Sequence, residues 1–571
     1  MKLLRLICLK ACLRLTTAVV LSLPSPSLAE AQGGDERSPI RFQGHSQDLR
    51  KNEGKVIFLD NKESVVNGSA LYDPNTRTCG DGEYRVFTDL DEAARALADA
   101  DVLYIRGGTY TRASVGKYIT VHGHRVNYFT GVLDIAASGT AQRRKLLSAY
   151  FGETAVIQAR PGVNHYNPDP GDTSFTNSSH YYPHPAIGIH GDYLDVRALK
   201  TYGQVVISGH DITLEYCDLG GGGPHMNQGQ VVAINSNRPG GVYNVVVRNN
   251  RVHHSCWGES RGNGAAVMGY NFSAIIENNH FYDNYGADVR IKDCGEQQGK
   301  TTIVRCNFFG PTAVCPDGNT GVGGMNQDKD VDRILIHNNI FYKKTVGVSC
   351  DGPPEGPLPK GMFVYNNTFV NCEADLSEWT NPPIHAHNNL FYHFKEGQRF
   401  YDIQSDPWSQ LDADHNLFYS ATGDTQWRHL YRNRGSDLAA WQRYSGKDAN
   451  SVWRVPQFVS PFGDRPGDFK RKGRPSDVAG SKYGPVCGAY ITGNEIIGVM
   501  PIDTAVADLN GDEIVDFTDF ALLSNKWLSA GCDEIGSWCG RVDMNRDAVV
   551  DFLDLACVAS DWCAPRIYRG R

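Results

Sequence analysis

The sequence lacks several features that would place it in other classes of protein. Its 571 residues carry 56 Lys and Arg against 64 Asp and Glu, and the net charge of -8 gives no overall basic field that would attract nucleic acid. Only 7 residues are methionine, whereas 60 are glycine, 27 proline, 27 tyrosine and 23 phenylalanine. This composition favours a turn-rich β protein over a helical one.

Long apolar runs are also scarce. Residues 1–31 combine basic residues, an apolar run from Leu15 to Leu23 and then small residues, which predicts a secretory signal peptide cleaved after Ala29 or Ala31. No later segment is apolar for long enough to span a bilayer, so we expect a mature protein without a membrane segment that is secreted or extracytoplasmic.

The cysteines contain no CxxC pair, which argues against a zinc site. Of the 15 cysteines, Cys8 and Cys12 lie in the predicted signal peptide, which leaves 13. In an oxidising compartment we expect disulfides among them, with at least one thiol left over because their number is odd.

One short segment recurs along the chain, with forms such as V-R-N-N-R-V, I-E-N-N-H-F and I-H-N-N-I-F. Its spacing of roughly 20 to 35 residues is typical of solenoid repeats, in which stacked coils share an interior and pair their strands in parallel. Cys217 occupies the asparagine position of an earlier turn. We interpret the asparagine row as structural, because stacked amides hydrogen-bond from coil to coil and tolerate left-handed turns. The shared asparagines are Asn250, Asn279, Asn307, Asn339, Asn367, Asn389 and Asn416.

The ends of the stack carry their own patterns. The run T-D-L-D-E-A-A-R-A-L-A-D-A, from Thr88, has a Ser/Thr-x-x-acid start and predicts a helix that covers the first coil. With the asparagine repeats and a closing G-D-F and C-G-A-Y, it resembles the secreted bacterial right-handed parallel β-helix proteins of the pectate-lyase-like superfamily. The resemblance covers residues 54–490 and implies an all-β, right-handed parallel β-helix with an N-terminal capping helix. It leaves the activity open, because the superfamily includes lyases, hydrolases, epimerases and non-catalytic members.

Two acidic loops near the C-terminus predict a calcium module. D-L-N-G-D-E-I-V-D-F-T-D spans residues 508–519, and D-M-N-R-D-A-V-V-D-F-L-D spans residues 543–554. Calcium takes several oxygen ligands from such closely spaced positions, with a backbone carbonyl at position seven. The predicted ligands are Asp508, Asn510, Asp512, Ile514, Asp516 and Asp519 in the first loop, and Asp543, Asn545, Asp547, Val549, Asp551 and Asp554 in the second.

Each loop runs into a helical stretch, and residues 502–563 resemble the dockerin module. The resemblance implies a small α-helical domain that binds two calcium ions and docks onto a cohesin-like partner. The module departs from the family pattern at Glu513 and Ala548, which replace the usual glycine, and at Arg546. Cysteines could staple this small domain, namely Cys532, Cys539, Cys557 and Cys563.

The strand G-A-D-V-R-I-K-D-C-G, residues 286–295, stands out because its polar face is charged. Aligning it with neighbouring coils places Lys292 beside Asn235, Gly269 and Ser349, and Arg290 beside Ala233, Val267 and Gly347. We therefore expect a shallow groove with one charged rung in its floor, in which a polymer could lie.

For a uronic-acid polysaccharide, β-elimination needs a base for the proton next to the carboxylate and a group that neutralises the carboxylate. Lys292 would be the base, since Arg290 nearby favours its neutral form, and Arg290 would hold the carboxylate. Asp288 and Asp293 would orient these cations or bind a further calcium ion, with Asp351 near Asp293. The alternative is an exposed salt-bridged strand of little energetic weight.

A second cluster lies in loops that precede adjacent strands and would border the same groove. His225, His254 and Glu259 are its alternative acids or bases, accompanied by His253 and Arg261.

Three functions remain open from the sequence. The leading one is a secreted polysaccharide lyase. A glycoside hydrolase on the same fold would instead use carboxylates, for which Asp218, Glu259, Asp288 and Asp293 are the candidates. The third is a non-catalytic glycan-binding protein fixed to an assembly by the dockerin-like module.

Overall fold

The computed structural model describes the chain from Gly54 onward, with gaps. The described residues are 54–112, 116–121, 124–129, 131–150, 153–159, 185–221, 230–235, 241–255, 265–292, 301–313, 323–328, 333–351, 361–378, 383–404, 410–473, 476–493, 495–499, 517–530, 542, 549–551 and 555. Within these ranges, no helix is long and apolar enough to cross a membrane.

The chain winds through three long sheets and gives one strand to each sheet in every regular coil. Sheet 1 has 13 strands, and sheets 2 and 3 have 12 each. Neighbouring strands pair in parallel except in the last pair of sheet 3. This topology confirms the predicted parallel β-helix.

The strands of sheet 1 are Val56–Leu59, Arg85–Phe87, Val102–Ile105, Lys145–Ala149, Leu194–Arg197, Ile212–Glu215, Val242–Arg248, Phe272–Glu277, Thr302–Arg305, Arg333–His337, Gly361–Tyr365, Ile384–His387 and Leu411–Asp414. Those of sheet 2 are Gly108–Arg112, Ala155–Ala159, Lys200–Tyr202, Asp218–Gly220, Arg251–His253, His280–Tyr282, Phe308–Phe309, Ile340–Tyr342, Thr368–Val370, Leu390–His393, Leu417–Ser420 and Val452–Trp453. Those of sheet 3 are Leu133–Ile135, Pro185–Ile189, Gln204–Ile207, Val232–Asn235, Ala265–Tyr270, Ala287–Lys292, Gly323–Asp328, Val346–Asp351, Ala374–Glu378, Arg399–Ile403, Trp427–His429 and Arg432–Gly435.

Other elements lie outside the three sheets. Two hairpins pair Tyr72–Asp73 with Thr78–Cys79 and Gly116–Val121 with His124–Phe129. The α-helices are Leu90–Ala96, Leu438–Ser445 and Phe517–Asn525, and the 3-10 helices are Leu97–Asp99 and Pro466–Phe469.

The asparagine row forms the corner between sheets 1 and 2, as predicted. The backbone N–H of Asn279 donates to Asn307 Oδ1 at 3.0 Å, and its Nδ2 donates to the carbonyl of Val247 at 2.8 Å. Cys217 extends the row, because its backbone N–H donates to Asn250 Oδ1 at 2.9 Å. The preceding turn residue adopts positive φ, a conformation that asparagine tolerates better than most residues. Asparagines in that position are Asn249, Asn278, Asn338, Asn366 and Asn388.

The interior is a continuous apolar stack. Phe309 and Phe341 are fully buried and stack at 4.6 Å with nearly parallel rings. Similar spacing continues through the phenylalanines at the same position of other coils, which are Phe281, Phe369, Phe391 and Phe418. Each coil thus buries its apolar face against its neighbours, because a single coil has no interior of its own.

Helices cover both ends of the stack. Ala93 of the first helix and Leu97, which directly follows the helix, pack into the core. The N-cap of this helix is Asp89, whose side chain accepts a hydrogen bond from the Glu92 N–H; the expected N-cap was Thr88. At the other end, Trp441 of the helix Leu438–Ser445 stacks over Trp427 at 6.3 Å. These aromatic and aliphatic side chains close coils that lack a further neighbour.

After the last coil the chain returns along the outside of the stack. Residues 456–499, which we call the strap, bury Phe469 and Tyr490 against the outer face of sheet 2. Positive-φ asparagines fasten the strap by donating to its carbonyls. Asn388 Nδ2 donates to Val486 at 3.2 Å, Asn338 Nδ2 to Ala489 at 2.8 Å and Asn278 Nδ2 to Ile496 at 2.5 Å.

The expectation of disulfides is not met within the described ranges. The six cysteines there form no disulfide, at positions Cys79, Cys217, Cys306, Cys350, Cys372 and Cys487. Four are buried as apolar side chains, and burial raises the pKa of the Cys217 thiol to about 12. Cys532, Cys539, Cys557 and Cys563 lie outside the described residues.

Candidate functional site

The outer face of sheet 3 is bordered by the long connections of the solenoid. The corner between sheets 1 and 2 needs only two residues, such as 249–250, whereas residues 254–264 lead into sheet 3 and residues 293–301 lead out of it. Functional residues concentrate on faces that loops border. We therefore expect the functional site on the outer face of sheet 3.

Arg290 and Lys292 lie on this face. Their strand buries Val289 and Ile291 completely in the core, so the alternate residues point outward. Both cationic side chains are partly exposed. The predicted alternation of this strand is confirmed.

The predicted neighbours of the two cations were partly wrong. Lys292 pairs in register with Tyr270 and not with Gly269, and its ammonium lies 5.6 Å from the centroid of the Tyr270 ring. Arg290 pairs with Met268 on that side. The floor beside the cations is therefore formed by large side chains, and Tyr270 is 38% exposed.

On the side away from Met268 and Tyr270, the predicted neighbours of the two cations were wrong because one strand had not been predicted. Gly323–Asp328 lies between Ala287–Lys292 and Val346–Asp351, which places Asn326 beside Arg290 and Asp328 beside Lys292. Its sequence G-G-M-N-Q-D lacks the apolar alternation that marks the other strands. Its position, midway between two recognised strands with one asparagine repeat on each side, was the signal that could have revealed it.

Two aspartate positions follow Lys292 in the strand register. The register places Asp328 next to Lys292 and Asp351 next to Asp328. Such oxygen donors suit calcium, but no group of three or more His, Cys, Asp or Glu within the described ranges is arranged to hold a metal ion. Asp293, the remaining predicted ligand, lies outside those ranges, and a groove calcium stays a prediction.

Asp288 is not exposed beside Arg290 and Lys292, contrary to the expectation that it orients these cations. Its side chain is fully buried, and its Oδ2 lies 2.5 Å from the Nζ of Lys344, which is also fully buried. Asn284 Nδ2 donates to its Oδ1 at 3.0 Å. Burial raises the pKa of Asp288 to about 6, although Lys344 opposes this shift. The carboxylate therefore belongs to the buried corner between sheets 2 and 3.

The histidine cluster is centred on sheet 2. His253 Nε2 lies 2.9 Å from Asp218 Oδ1, and His253 Nδ1 lies 2.7 Å from His254 Nδ1. Burial and the neighbouring His253 lower the pKa of His254. His254 begins the connection toward sheet 3, but its ring is held by a residue of sheet 2. His225 and Glu259 lie outside the described residues.

Asp218 is strongly held in its ionised form. Burial would raise its pKa, but hydrogen bonds from His253 and Lys200 outweigh it and lower the pKa to about 2. The Lys200 ammonium lies 3.1 Å from Asp218 Oδ2. A carboxyl of this kind is a poor proton donor at neutral pH.

Little of the predicted calcium module falls within the described residues. The helix Phe517–Asn525 begins within the last three residues of the first loop, and Ala530 bridges Val549 of the second loop in antiparallel fashion. Asp551 and the backbone of Asp519 are also described. The other predicted ligands lie outside, namely Asp508, Asn510, Asp512, Ile514, Asp516, Asp543, Asn545, Asp547 and Asp554.

Two family models match parts of the chain. Residues 506–561 match the Dockerin type I domain. Residues 192–395, which include Arg290 and Lys292, match a family described as a protein of unknown function, DUF1565. A search of curated proteins gave no match.

Several solved structures are similar in fold at low identity. Pectate lyase Pel9A is 13% identical, with a TM-score of 0.40 over 76% of this chain and 96% of that chain. The PL6 family alginate lyase AlyGC is 12% identical, with a TM-score of 0.33 over 72% of this chain and 58% of that chain. A mannuronic acid specific polysaccharide family 6 lyase from human gut microbiota is 11% identical, with a TM-score of 0.28 over 61% of this chain and 76% of that chain.

The strand pairings of the chain itself show the parallel β-helix, and the matching domain model shows the C-terminal dockerin type I domain. The chain therefore joins a parallel β-helix to a C-terminal dockerin type I domain.

Proposed function

We propose that the protein is an extracellular polysaccharide lyase that cleaves a uronic-acid-containing polymer by β-elimination and is attached to a cohesin-bearing assembly through its dockerin domain. The observation that carries the proposal is the pair of outward cations, Arg290 and Lys292, on the face bordered by long connections. The acid of the same strand, Asp288, is paired with Lys344 in the interior.

The spacing of the two cations fits one uronate unit. Alternate residues of a strand are about 6.6 Å apart, so two roles can be served within a single sugar. Arg290 would bind the substrate carboxylate with its planar fork and stabilise the charge that develops there. Lys292 would take the proton from the adjacent carbon as the bond to the leaving oxygen breaks.

Tyr270 extends this arrangement. Its exposed ring lies against Lys292 on the preceding coil, where a neighbouring sugar of a chain along the groove would pass. Aromatic rings offer an apolar surface with a polar tip, which suits the faces of sugars.

The hydrolase alternative has weaker support. Two of its four candidate carboxylates are unsuited to donate a proton to a bound glycan, since Asp218 has a pKa near 2 and Asp288 is fully buried. The other two, Glu259 and Asp293, lie outside the described residues.

A substrate screen tests the reaction class. Pectate, alginate, glycosaminoglycans and neutral glycans should be incubated with the full chain while both the ultraviolet absorbance of unsaturated uronate and new reducing ends are measured. We expect both signals on an acidic polymer. Reducing ends without absorbance would support the hydrolase, and binding without cleavage would support the non-catalytic alternative.

Variants then test the residue roles. Lys292→Ala should lower kcat by about 100-fold or more, the usual effect of a general base, while Arg290→Lys should mainly raise KM for the acidic polymer. Lys343→Ala is a matched control, because Lys343 is exposed and lies 4.7 Å from the Tyr342 ring away from sheet 3. If Lys292→Ala retains the wild-type rate, the base must be sought among His225, His254 and Glu259.

A further inference from the structure

Three polar side chains on the first coils of sheet 3 lie in a series, joined by one hydrogen bond and one ionic contact, that the lyase reaction does not use. His190 Nδ1 lies 2.8 Å from Ser208 Oγ, and His190 Nε2 lies 3.6 Å from Asp134 Oδ1. The three residues come from consecutive strands of the sheet or from the residue directly after them. A serine, an imidazole and a carboxylate in this order are the parts of a charge-assisted nucleophile.

The three side chains point outward and are accessible. Leu133, Ile135 and Ile189 are fully buried, so Asp134 and His190 alternate with them on the outer face. The His190 and Asp134 side chains are 24% and 25% exposed, and Ser208 is also partly exposed. An incoming carbonyl group can therefore approach the serine from solvent.

Gly188 makes the contact between His190 and Asp134 possible. It pairs in register with Asp134, and a Cβ atom at Gly188 would lie 2.2 Å from Asp134 Oδ1 and 2.6 Å from His190 Nε2. No other residue type leaves this space open. The N–H of Gly131 donates to both oxygens of Asp134 at 3.0 Å and fixes the orientation of the carboxylate.

We propose that Ser208, His190 and Asp134 form a second active site, which hydrolyses carboxylic esters. With the proton of His190 on Nε2, facing Asp134, Nδ1 accepts the proton of the Ser208 hydroxyl. Asp134 acts as a positioning residue that stabilises the imidazolium.

The reaction proceeds in two balanced steps. Ser208 Oγ forms a bond to the acyl carbon and gives its proton to His190; the ester C–O bond then breaks, and the alcohol leaves with that proton. A water molecule, deprotonated by His190, attacks the acyl-serine and releases the acid and the free serine. The net reaction is ester and water to alcohol and acid.

The position of the series suggests its substrate class. The row that contains Ser208 continues through Asn235 and Tyr270 to Lys292. Three strand spacings separate Ser208 from Lys292, or about 14 Å. An ester substituent of a polysaccharide in the same groove would reach Ser208 a few sugars away from the cleaved bond. The choice of this polysaccharide as the ester-bearing substrate rests on the proposed function, whereas the ester hydrolysis itself does not.

A covalent probe tests the site on the full chain. A fluorophosphonate should label the wild-type protein on Ser208, as located by peptide mass spectrometry, and 4-nitrophenyl acetate should be hydrolysed. Ser208→Ala should abolish the label and reduce hydrolysis about 100-fold or more. Ser69→Ala is the control, since Ser69 Oγ only accepts a local hydrogen bond from the Leu71 N–H. The assays contain no uronate, so their outcome is independent of the lyase screen.

Further variants separate catalysis from packing. Asp134→Asn should slow labelling about 10-fold or more without a change in Tm, and Asp134→Glu should restore part of the rate, because only a carboxylate stabilises the imidazolium. The proposal is overturned if folded wild-type protein takes no label on Ser208, or if Ser208→Ala hydrolyses the ester as fast as the wild type.

Discussion

At the scale of single residues, the strand Ala287–Lys292 divides its charges between two environments. Arg290 and Lys292 lie partly exposed on the outer face of sheet 3, whereas Asp288 is buried with Lys344, which follows the sheet 2 strand Ile340–Tyr342 two coils later. The alternation of the strand correctly predicted which residues share a face. It could not predict that one of them is covered at the corner, because the partner comes from a distant part of the sequence.

Removing the partner of Asp288 should be costly. Lys344→Met leaves a buried carboxylate without its counter-ion, and we expect a loss of about 3 to 5 kcal/mol in the free energy of unfolding, measured with urea. The loss should be smaller at pH 5 than at pH 8, because burial raises the pKa of Asp288 and a protonated carboxyl needs no counter-ion.

Two further variants complete this test. Asp288→Asn combined with Lys344→Met should recover part of the loss, and Lys343→Met should change stability little, because Lys343 is exposed. A loss below about 1 kcal/mol for Lys344→Met at pH 8 would show that the pair is not a buried charge pair.

At the scale of elements, the corner between sheets 1 and 2 is the most regular part of the fold. Asn339 is fully buried, its backbone N–H donates to Asn367 Oδ1 at 3.0 Å, and its Nδ2 donates to the Val304 carbonyl at 2.9 Å. Asn339→Ala would remove the partner of the Val304 carbonyl and that of the Asn307 backbone N–H, which donates to Asn339 Oδ1 at 3.0 Å. We expect a loss of roughly 1 to 3 kcal/mol in urea unfolding.

The activity of the Asn339→Ala protein should fall only in proportion to the folded fraction. Asn278→Gly is the comparison variant, since Asn278 has φ of 54°, is only partly buried and loses a single bond, to the strap carbonyl of Ile496. Glycine preserves that turn, so the loss should be clearly smaller. A stable but inactive Asn339→Ala protein would contradict the structural interpretation of the row.

This regularity explains how much of the fold the sequence could predict. The asparagine corner has constant length, so its signal repeats in every coil and indicates the solenoid and the strands on both sides. The borders of sheet 3 have connections of variable length, and the strand Gly323–Asp328 was missed there. On the opposite side of Lys292, the predicted register was wrong by one residue, because Tyr270 and not Gly269 lies beside Lys292. The outward position of Arg290 and Lys292 followed from the alternation of their strand, but their neighbours did not.

The pairing of Asp134, His190 and Ser208 was also beyond sequence reasoning. Each residue occurs singly in its own coil, and the connection between the first two includes residues 160–184, outside the described ranges. Only the register of the strands brings the three side chains together.

At the scale of the whole molecule, the dockerin domain should be separable from the solenoid. Calorimetric titration of the full chain with calcium should show two sites, because residues 508–519 and 543–554 each supply a set of oxygen donors. A chain ending at Met500 should lose both sites and keep the thermal unfolding transition of the β-helix. Unfolding of the shortened chain, or a full chain without calcium binding, would contradict this prediction.

The path of the strap has a mechanical consequence for a protein tethered through its C-terminus. The strap is attached first at the coil of His415, then at Asn388 and Asn338, and last at the coil of Asn278. The chain that leads to the dockerin domain therefore leaves the β-helix beside the middle of the stack. A load on the tether reaches Gly498 first, whose N–H donates to the Cys306 carbonyl at 2.8 Å, and then opens the bonds at Ile496 and the residues before it in turn toward Ala479. Peeling residues 479–496 frees about 60 Å of extended chain. The strap would thus detach and extend under load before any coil of the β-helix unfolds.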